Sequence, residues 1–130
     1  MKRFHLILSF FISTILSVSV IASENPDDKK FKTNMPDDVR AVVEKSCFGC
    51  HNSDSRNEDA KEELDFKNLN SLKTFKKIGT YRDIAEVLEE DEMPPKKFAE
   101  KYPERVPTEA EEKLLSDWVK NEAQKLVDSQ

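Results

Sequence analysis

The sequence predicts an all-α fold, and three observations carry this prediction. The 130 residues include only two glycines, while glutamate, lysine and leucine, which favour helices, are abundant. Apolar residues recur at helical spacing before the paired cysteines and again near the carboxyl end. Thr108 and Glu111 form a capping-box pattern just before the last apolar run. The length allows one domain with one core.

The amino-terminal residues have the composition of a secretory signal peptide. Lys2 and Arg3 precede an apolar stretch that ends at the small residues Ala22 and Ser23. We expect cleavage there, and the alternative is a retained membrane anchor, because the stretch is nearly long enough to span a bilayer. The sequence therefore predicts a periplasmic or otherwise extracytoplasmic protein. The predicted divisions are 1–23 for the signal peptide, 24–35 for a flexible lead-in and 36–127 for the folded domain.

The expected mature chain is acidic. Removing Lys2 and Arg3 moves the net charge from −5 to −7, because two basic residues are lost and no acidic one. An acidic chain of this size is not expected to bind nucleic acid. Cleavage would also remove His5, so that His51 would be the one histidine of the mature chain.

A first helix is predicted to begin near Pro36 and to run into the cysteine motif. Proline suits the first helical position, and Asp37 and Asp38 are acidic residues in the first turn, where the helix dipole favours them. The residues at helical spacing behind them are Val39, Val42, Val43 and Cys47.

The polar stretch 52–63 is predicted to be a connector. Beyond it, apolar residues recur at every third position, and that spacing drifts around an ideal α-helix. We therefore expect two helices, over 71–77 and 81–90, that are separated at Gly79, with Thr80 as the cap of the second.

Pro94 and Pro95 are expected to end the second of these helices, and 96–107 is predicted to be a loop. The last helix is predicted to begin after Thr108. We expect Trp118 to lie in the core. The predicted apolar face consists of Leu115, Trp118, Val119, Ala123 and Leu126, with Leu114 at its margin.

The sequence CFGCH contains both cysteines of the chain, Cys47 and Cys50, followed by His51. A thioredoxin-like disulfide would need a βαβ setting that the flanking sequence lacks, and a structural disulfide here would close a very small loop. A zinc site would have three ligands, whereas a closed structural site uses four. C-x-x-C-H is also the attachment signature of haem c, and together with the predicted export it favours that chemistry.

The spacing of the motif suits covalent attachment of haem. Two thiols about one helical turn apart can reach the two vinyl groups on one edge of a porphyrin, and the next imidazole can then reach the iron. Met35 and Met93 are the candidates for the opposite ligand, and the prolines after Met93 restrict its backbone. We predict Met93 as the ligand and Met35 as a core residue. Phe48 lies between the cysteines and fits a haem pocket, and the residues predicted to wall the haem are Phe66, Leu69, Leu72, Phe75, Ile84 and Leu88.

With these motifs the sequence resembles the small haem-binding domain group of exported bacterial c-type cytochromes. The resemblance covers residues 38–124 and rests on CFGCHNS, the Met-Pro-Pro at 93–95, KFAEKYP and the terminal TEAEEKLLSDWVKNEA. It implies a small, cytochrome c-like helical domain wrapped around one covalent haem c. The chain departs from the family at 53–63, where many members carry tryptophan and proline. The implied haem residues are Cys47 and Cys50 as thioether anchors, His51 as the proximal iron ligand and Met93 as the distal iron ligand.

From these features we expect a periplasmic mono-haem c-type cytochrome that transfers electrons to redox partner proteins. We expect no enzymatic activity, because no second histidine remains as an acid–base catalyst. The alternative is a haem-based sensor or small-ligand-binding module in which the Met93 ligand is displaced. A membrane is expected as a partner only if the apolar segment is retained. The acidic run at 89–92 is either a solvated turn or a docking patch for a basic redox protein.

Overall fold

The computed structural model describes residues 34–130, and within this range it is helical without a strand. The all-α prediction is confirmed. The predicted signal peptide and nearly all of the predicted lead-in lie outside the described residues. The α-helices are α1 (Asp37–Ser46), α2 (Glu58–Glu63), α3 (Thr74–Glu89), α4 (Lys96–Lys101) and α5 (Glu109–Asp128). Two 3₁₀ segments cover Leu69–Ser71 and Pro103–Arg105.

The core lies between the two long helices, α3 and α5, which form the most extensive helix–helix contact, and α1 packs on α5. The buried apolar side chains come mainly from α1, α3, α5 and the chain between α2 and α3, and they form one core cluster. None of the helices within 34–130 combines the length and the apolar composition that crossing a membrane requires. The largest of the fully buried side chains are Phe66, Leu69, Leu115, Val39, Val43 and Val119.

The first helix lies where the sequence predicts it. Pro36 is its N-cap rather than its first helical residue, and the carboxylate of Asp38 accepts a hydrogen bond from the backbone N–H of Val39 at 2.8 Å. Val42 and Val43 face the core. Met35, which precedes the helix, is only 4% exposed, so the structure places it in the core as predicted.

The prediction of two helices over 71–77 and 81–90 is wrong, because α3 runs unbroken through Gly79. A glycine inside a helix costs about 1 kcal/mol relative to alanine, which burial against α5 can outweigh. Thr80 does not cap a new helix, since its hydroxyl donates to the carbonyl of Lys76 at 3.0 Å, one turn back. The buried face of α3 contains Thr80, Tyr81, Ile84 and Ala85.

Two stretches predicted as a connector and a loop contain short helices. The stretch 52–63 includes α2, whose amino end is capped by the side chain of Asn57. The stretch 96–107 includes α4 and the second 3₁₀ segment. Neither α2 nor α4 has a buried residue, so neither carries the apolar period from which a helix is recognised in a sequence.

The last helix is confirmed in place and in its cap. The backbone N–H of Glu111 donates to the Thr108 hydroxyl at 3.3 Å, and the Thr108 N–H donates to the Glu111 carboxylate at 2.7 Å. Leu115 and Val119 are buried on the predicted face. Trp118 packs edge-on against Tyr81 of α3, with ring centroids 5.4 Å apart, which agrees with its predicted place in the core.

Candidate haem site

Two adjoining cavities, of about 330 Å³ and about 50 Å³, lie between α1, α3 and the chain that follows each of them. The four residues that line both cavities are Cys47, His51, Leu88 and Met93. Cys50 lines the smaller one. The fold therefore brings the two predicted thioether anchors and the two predicted iron ligands to one site, although Met93 lies 42 positions after His51 in the sequence.

The imidazole of His51 is oriented by a backbone acceptor. Its Nδ1 donates a hydrogen bond to the carbonyl of Ala60 in α2 at 2.8 Å. This bond assigns the proton to Nδ1 and leaves Nε2 as the nitrogen available to a metal, an arrangement that metal-binding histidines commonly use. The backbone N–H of His51 donates to the Cys47 carbonyl at 3.1 Å, which continues the α1 turn through the motif.

The polar stretch after His51 is held by hydrogen bonds rather than by burial. Asn52, which is 8% exposed, donates through its side chain to the Phe48 carbonyl and accepts at 2.8 Å from the N–H of Asp54. At the far end, the N–H of Phe66 donates to the His51 carbonyl at 3.2 Å. The two ends of the stretch are therefore joined at His51. This holds α2 in the position where its Ala60 carbonyl accepts the hydrogen bond from the imidazole.

Both cysteines carry free thiols and are partly exposed. Burial raises the pKa of the Cys47 thiol to about 12, and the Arg105 guanidinium nearby opposes part of that increase. Cys47 is therefore a neutral thiol near pH 7. Cys50 lies in the turn after α1, where its N–H donates to the Cys47 carbonyl at 3.1 Å.

Met93 lies at the mouth of the cavities, with 36% of its surface exposed. Its backbone N–H donates to the Val87 carbonyl at 3.3 Å, so the chain folds back on the end of α3 after the acidic run. Pro94 and Pro95 then line the smaller cavity beside it. The acidic run itself is exposed, and Asp91 takes the left-handed conformation, with φ of 54°, where the chain reverses.

The residues predicted to wall the haem lie at the larger cavity, in or against the core, or, in one case, on the surface. Phe66, Ile84 and Leu88 line the larger cavity, as expected. The others, except one, pack in or against the core. The prediction is wrong for Phe75, which is 89% exposed near the start of α3, because the three-residue spacing carries it round to the outer face of an unbroken helix.

Arg105, which sequence reasoning missed, packs against the attachment motif. Its Nε donates to the Lys45 carbonyl at 2.9 Å, and its guanidinium lies 5.1 Å from the ring centre of Phe98 in α4. A Cβ atom at Gly49 would lie 2.7 Å from an Arg105 nitrogen, so the glycine leaves room for the guanidinium. An arginine preceded by an aromatic residue three positions earlier would have been a weak signal for this stack.

The donor set and the shape of the site fit a haem. The larger cavity is within the usual range for small-molecule sites and is lined mostly by apolar side chains, with an imidazole and a thioether at its edge. The hydroxyl of Ser46, beside Cys47, is buried and has no hydrogen-bond partner among the described residues, so the smaller cavity also offers a free donor. Residues 34–130 contain no group of three or more histidine, cysteine, aspartate or glutamate side chains placed to hold a metal ion.

A sequence profile described as a haem-binding domain matches residues 54–121, which is just over half of the chain. The chain belongs to the haem-binding domain family. The matched range includes Met93, Arg105 and most of α5, and it begins three residues after His51. No curated protein and no solved structure matches the chain.

Membership of this family makes the protein a haem-binding protein. The matched part supplies most of the side chains that line the larger cavity, including Phe66, Ile84 and Leu88. The CFGCH motif lies outside the matched range. The haem-binding domain and the motif next to it in sequence therefore meet in space at one cavity.

Proposed function

We propose that this haem-binding protein is an exported mono-haem c-type cytochrome that transfers electrons. In this proposal Cys47 and Cys50 bind the haem covalently, His51 is the proximal iron ligand and Met93 the distal one. The observation that carries the proposal is the meeting of these four side chains at one apolar cavity, with the His51 imidazole already oriented by Ala60.

The bound haem supplies a one-electron couple. The protein's own part is to hold the ligands still and to keep water away. The Ala60 carbonyl fixes the tautomer and the direction of the His51 ring, and the adjacent prolines restrict the backbone at Met93. Phe66 and Ile84 are 1% and 7% exposed, so they supply an apolar wall that excludes water from the larger cavity.

The cofactor and its attachment are tested on the full chain, produced in a host that matures c-type cytochromes. We expect the haem to stay with the polypeptide through denaturing electrophoresis and the reduced protein to show a c-type α-band. Intact mass then reports the haem and the mature amino terminus together. Haem that leaves the chain on denaturation would contradict covalent attachment.

The anchors are tested one at a time. Cys47→Ala and Cys50→Ala should each remove one thioether and shift the pyridine haemochrome band away from that of the unaltered protein, with a lower yield of holoprotein. Ser46→Ala is a matched control, because it changes the neighbouring side chain without removing a thiol. An unshifted haemochrome band in both cysteine variants would overturn the assignment.

A second candidate function is supported by the exposure of Met93. A ligand that is 36% exposed at the cavity mouth has less protein around it to resist displacement. A sensor or small-ligand-binding module would use that property. Carbon monoxide added to the ferrous protein separates the two functions, since an unchanged spectrum favours the electron carrier and a rapid change favours the sensor.

The proposed location and partner follow from charge and sequence. Export depends on residues 1–23, which lie outside the described residues. The acidic run ends beside Met93 at the mouth of the site, and Glu112 in α5 lies near this run, since burial and then the nearby Asp91 and Glu109 raise the pKa of its carboxyl. An acidic rim of this kind suits a redox partner with a basic surface, whose association rate would fall as salt is added.

A further inference from the structure

Arg105 lies against the attachment motif and is held there by several contacts. Its Nε donates to the Lys45 carbonyl at 2.9 Å, which is one of the acceptors left free at the end of α1. Its guanidinium lies over two rings, 5.1 Å from the centre of Phe98 and 5.9 Å from that of Tyr102. These contacts fix the guanidinium in position.

The close approach to Gly49 shows how tightly this side chain fits against the motif. A Cβ atom at position 49 would lie 2.7 Å from one terminal nitrogen of Arg105, which is well inside normal contact. Gly49 lies between the two cysteines, so the guanidinium rests directly on the loop that carries both thiols. Any larger residue there would displace the guanidinium or the loop.

The positive charge of Arg105 is not neutralised within the described part of the chain. The ion pairs of residues 34–130 include Lys45 with Glu111 at 2.6 Å, but none contains Arg105. Its partners are a carbonyl and two rings, which stabilise a cation without cancelling its charge.

We propose that Arg105 is a positioning residue of the haem site, which holds the CFGCH loop through Lys45 and Gly49 and raises the reduction potential of the bound haem through its uncompensated charge. This inference rests on the proposed function. An oxidised haem carries one more positive charge than a reduced haem, so a fixed cation beside the attachment loop favours the reduced form.

The test is a potentiometric titration of the holoprotein and its variants. Arg105→Met keeps an apolar stem and removes the charge, and Arg105→Lys keeps the charge. At a fixed solution potential we expect Arg105→Met to lower the ratio of reduced to oxidised protein by about three- to tenfold, the size of effect expected from losing one partly buried charge. In Arg105→Lys the ratio should stay close to that of the parent protein, because the charge is kept. Arg82→Met, an exposed position on α3, is the matched control and should leave the ratio unchanged.

Gly49→Ala tests the positioning role without altering the charged residue. The added methyl group should displace the guanidinium and lower the potential in the parent protein, but it should have little effect when Arg105 is already methionine. Gly49→Ala in the parent protein and Arg105→Lys remain informative even if Arg105→Met gives no folded protein, since an unchanged potential in Gly49→Ala would then contradict the positioning role. Equal effects of Gly49→Ala in both backgrounds, or an unchanged potential in Arg105→Met, would overturn the inference.

The same measurements separate this inference from the proposed function. A parent protein that carries no covalent haem, or lacks the spectrum of histidine–methionine ligation, overturns the proposed function. A parent protein with that spectrum, whose potential does not respond to Arg105→Met, overturns only the role of Arg105.

Discussion

Two stretches flank the candidate haem cavity, and they are held in different ways, although each follows one of the two proposed iron ligands. The stretch 52–66 follows His51 and is fixed by side-chain-to-backbone hydrogen bonds, such as those of Asn52. The stretch 94–107 follows Met93 and is fixed by the stacking of Phe98, Tyr102 and Arg105. Each contains a short helix without a buried residue.

The difference has a physical reason in what each stretch has to do. The first must place one backbone oxygen at hydrogen-bond distance from an imidazole, and hydrogen bonds lose their strength within a few tenths of an ångström. The second must support a loop by covering it, and dispersion and cation–π contacts tolerate more variation in distance. The stretch next to the histidine is therefore held by hydrogen bonds, and the stretch next to the attachment loop is held by stacked rings and a guanidinium.

The largest effect is expected at the ligands themselves, where the two stretches begin. Met93→Leu keeps the volume of the side chain and removes its sulfur, so the iron should lose its distal ligand. We expect a high-spin spectrum and a midpoint potential lower by on the order of 0.1 V or more, within the range of about 0.8 V that axial ligands span. Absorption spectra and redox titration measure both.

Met35→Leu is the matched control for this substitution. Met35 is buried in the core, so the change should cost less than about 1.5 kcal/mol of stability and leave the spectrum as it is. A normal spectrum in Met93→Leu together with an altered one in Met35→Leu would exchange the roles of the two methionines.

The next effect tests the hydrogen-bonded stretch. Asn52→Ala leaves the Phe48 carbonyl and the Asp54 N–H without their partner, and such losses cost about 1–3 kcal/mol. Urea unfolding of the holoprotein measures the cost. Asn121→Ala, at an exposed position of α5, should change the unfolding free energy by no more than about 0.5 kcal/mol. Equal costs for the two substitutions would show that the network does not hold this stretch.

A smaller effect is expected in the stacked stretch. Phe98→Leu keeps an apolar side chain but removes the ring from the Arg105 guanidinium, which should cost about 0.5–1 kcal/mol. Tyr102→Phe keeps its ring, so it should be nearly neutral in the same urea experiment. A loss from Phe98→Leu as large as that from Asn52→Ala would remove the proposed difference between the two stretches.

The smallest effect is expected where the stacked stretch joins α5. Hydrogen bonds from the Lys45 ammonium, 2.6 Å away, and then from the Thr108 N–H lower the pKa of Glu111 to about 2. A carboxyl whose pKa is lower in the folded state stabilises the fold above its ordinary pKa of 4.5, and that stability is lost as the pH falls towards 2. The side chain is partly exposed, so solvent screens the effect.

Unfolding measured between pH 7 and pH 2 tests this contribution. The decline in stability below pH 5 should be shallower in Glu111→Gln than in the unaltered protein. Glu100→Gln, on the exposed side of α4, should keep the original slope. Identical pH profiles for all three proteins would contradict the role of the Lys45–Glu111 contact.

The parts of the fold that sequence reasoning predicted are those with an apolar period or a cap of known pattern. Thr108 and Glu111 locate the start of α5, and Val39, Val42 and Val43 locate α1. The predicted break at Gly79 is wrong because tertiary packing outweighs a local preference. The short helices were not predicted because they contain no buried residue and so no apolar period. For α2 the sequence does contain a helix-start signal, since the capping Asn57 is followed by the acidic Glu58 and Asp59.

The site was partly predictable for a similar reason. The sequence predicts that four side chains with distinctive chemistry lie at one site, namely Cys47, Cys50, His51 and Met93. The Ala60 carbonyl could not be predicted, because every residue has a carbonyl and only the fold selects one. Arg105 was missed because its contacts reach across 60 residues to Lys45, and no local pattern reports such a distance.

The hydrogen bond from the Phe66 N–H to the His51 carbonyl has a consequence for how this segment can evolve. It closes the intervening residues into a loop whose ends are joined, and Phe66 fixes one end in the core. Changes in sequence within the loop need not alter the core, and each doubling of its length would cost only about 0.6 kcal/mol of closure entropy. Selection can therefore act on the content of this loop separately from the core, as long as one carbonyl still accepts the hydrogen bond of the His51 imidazole.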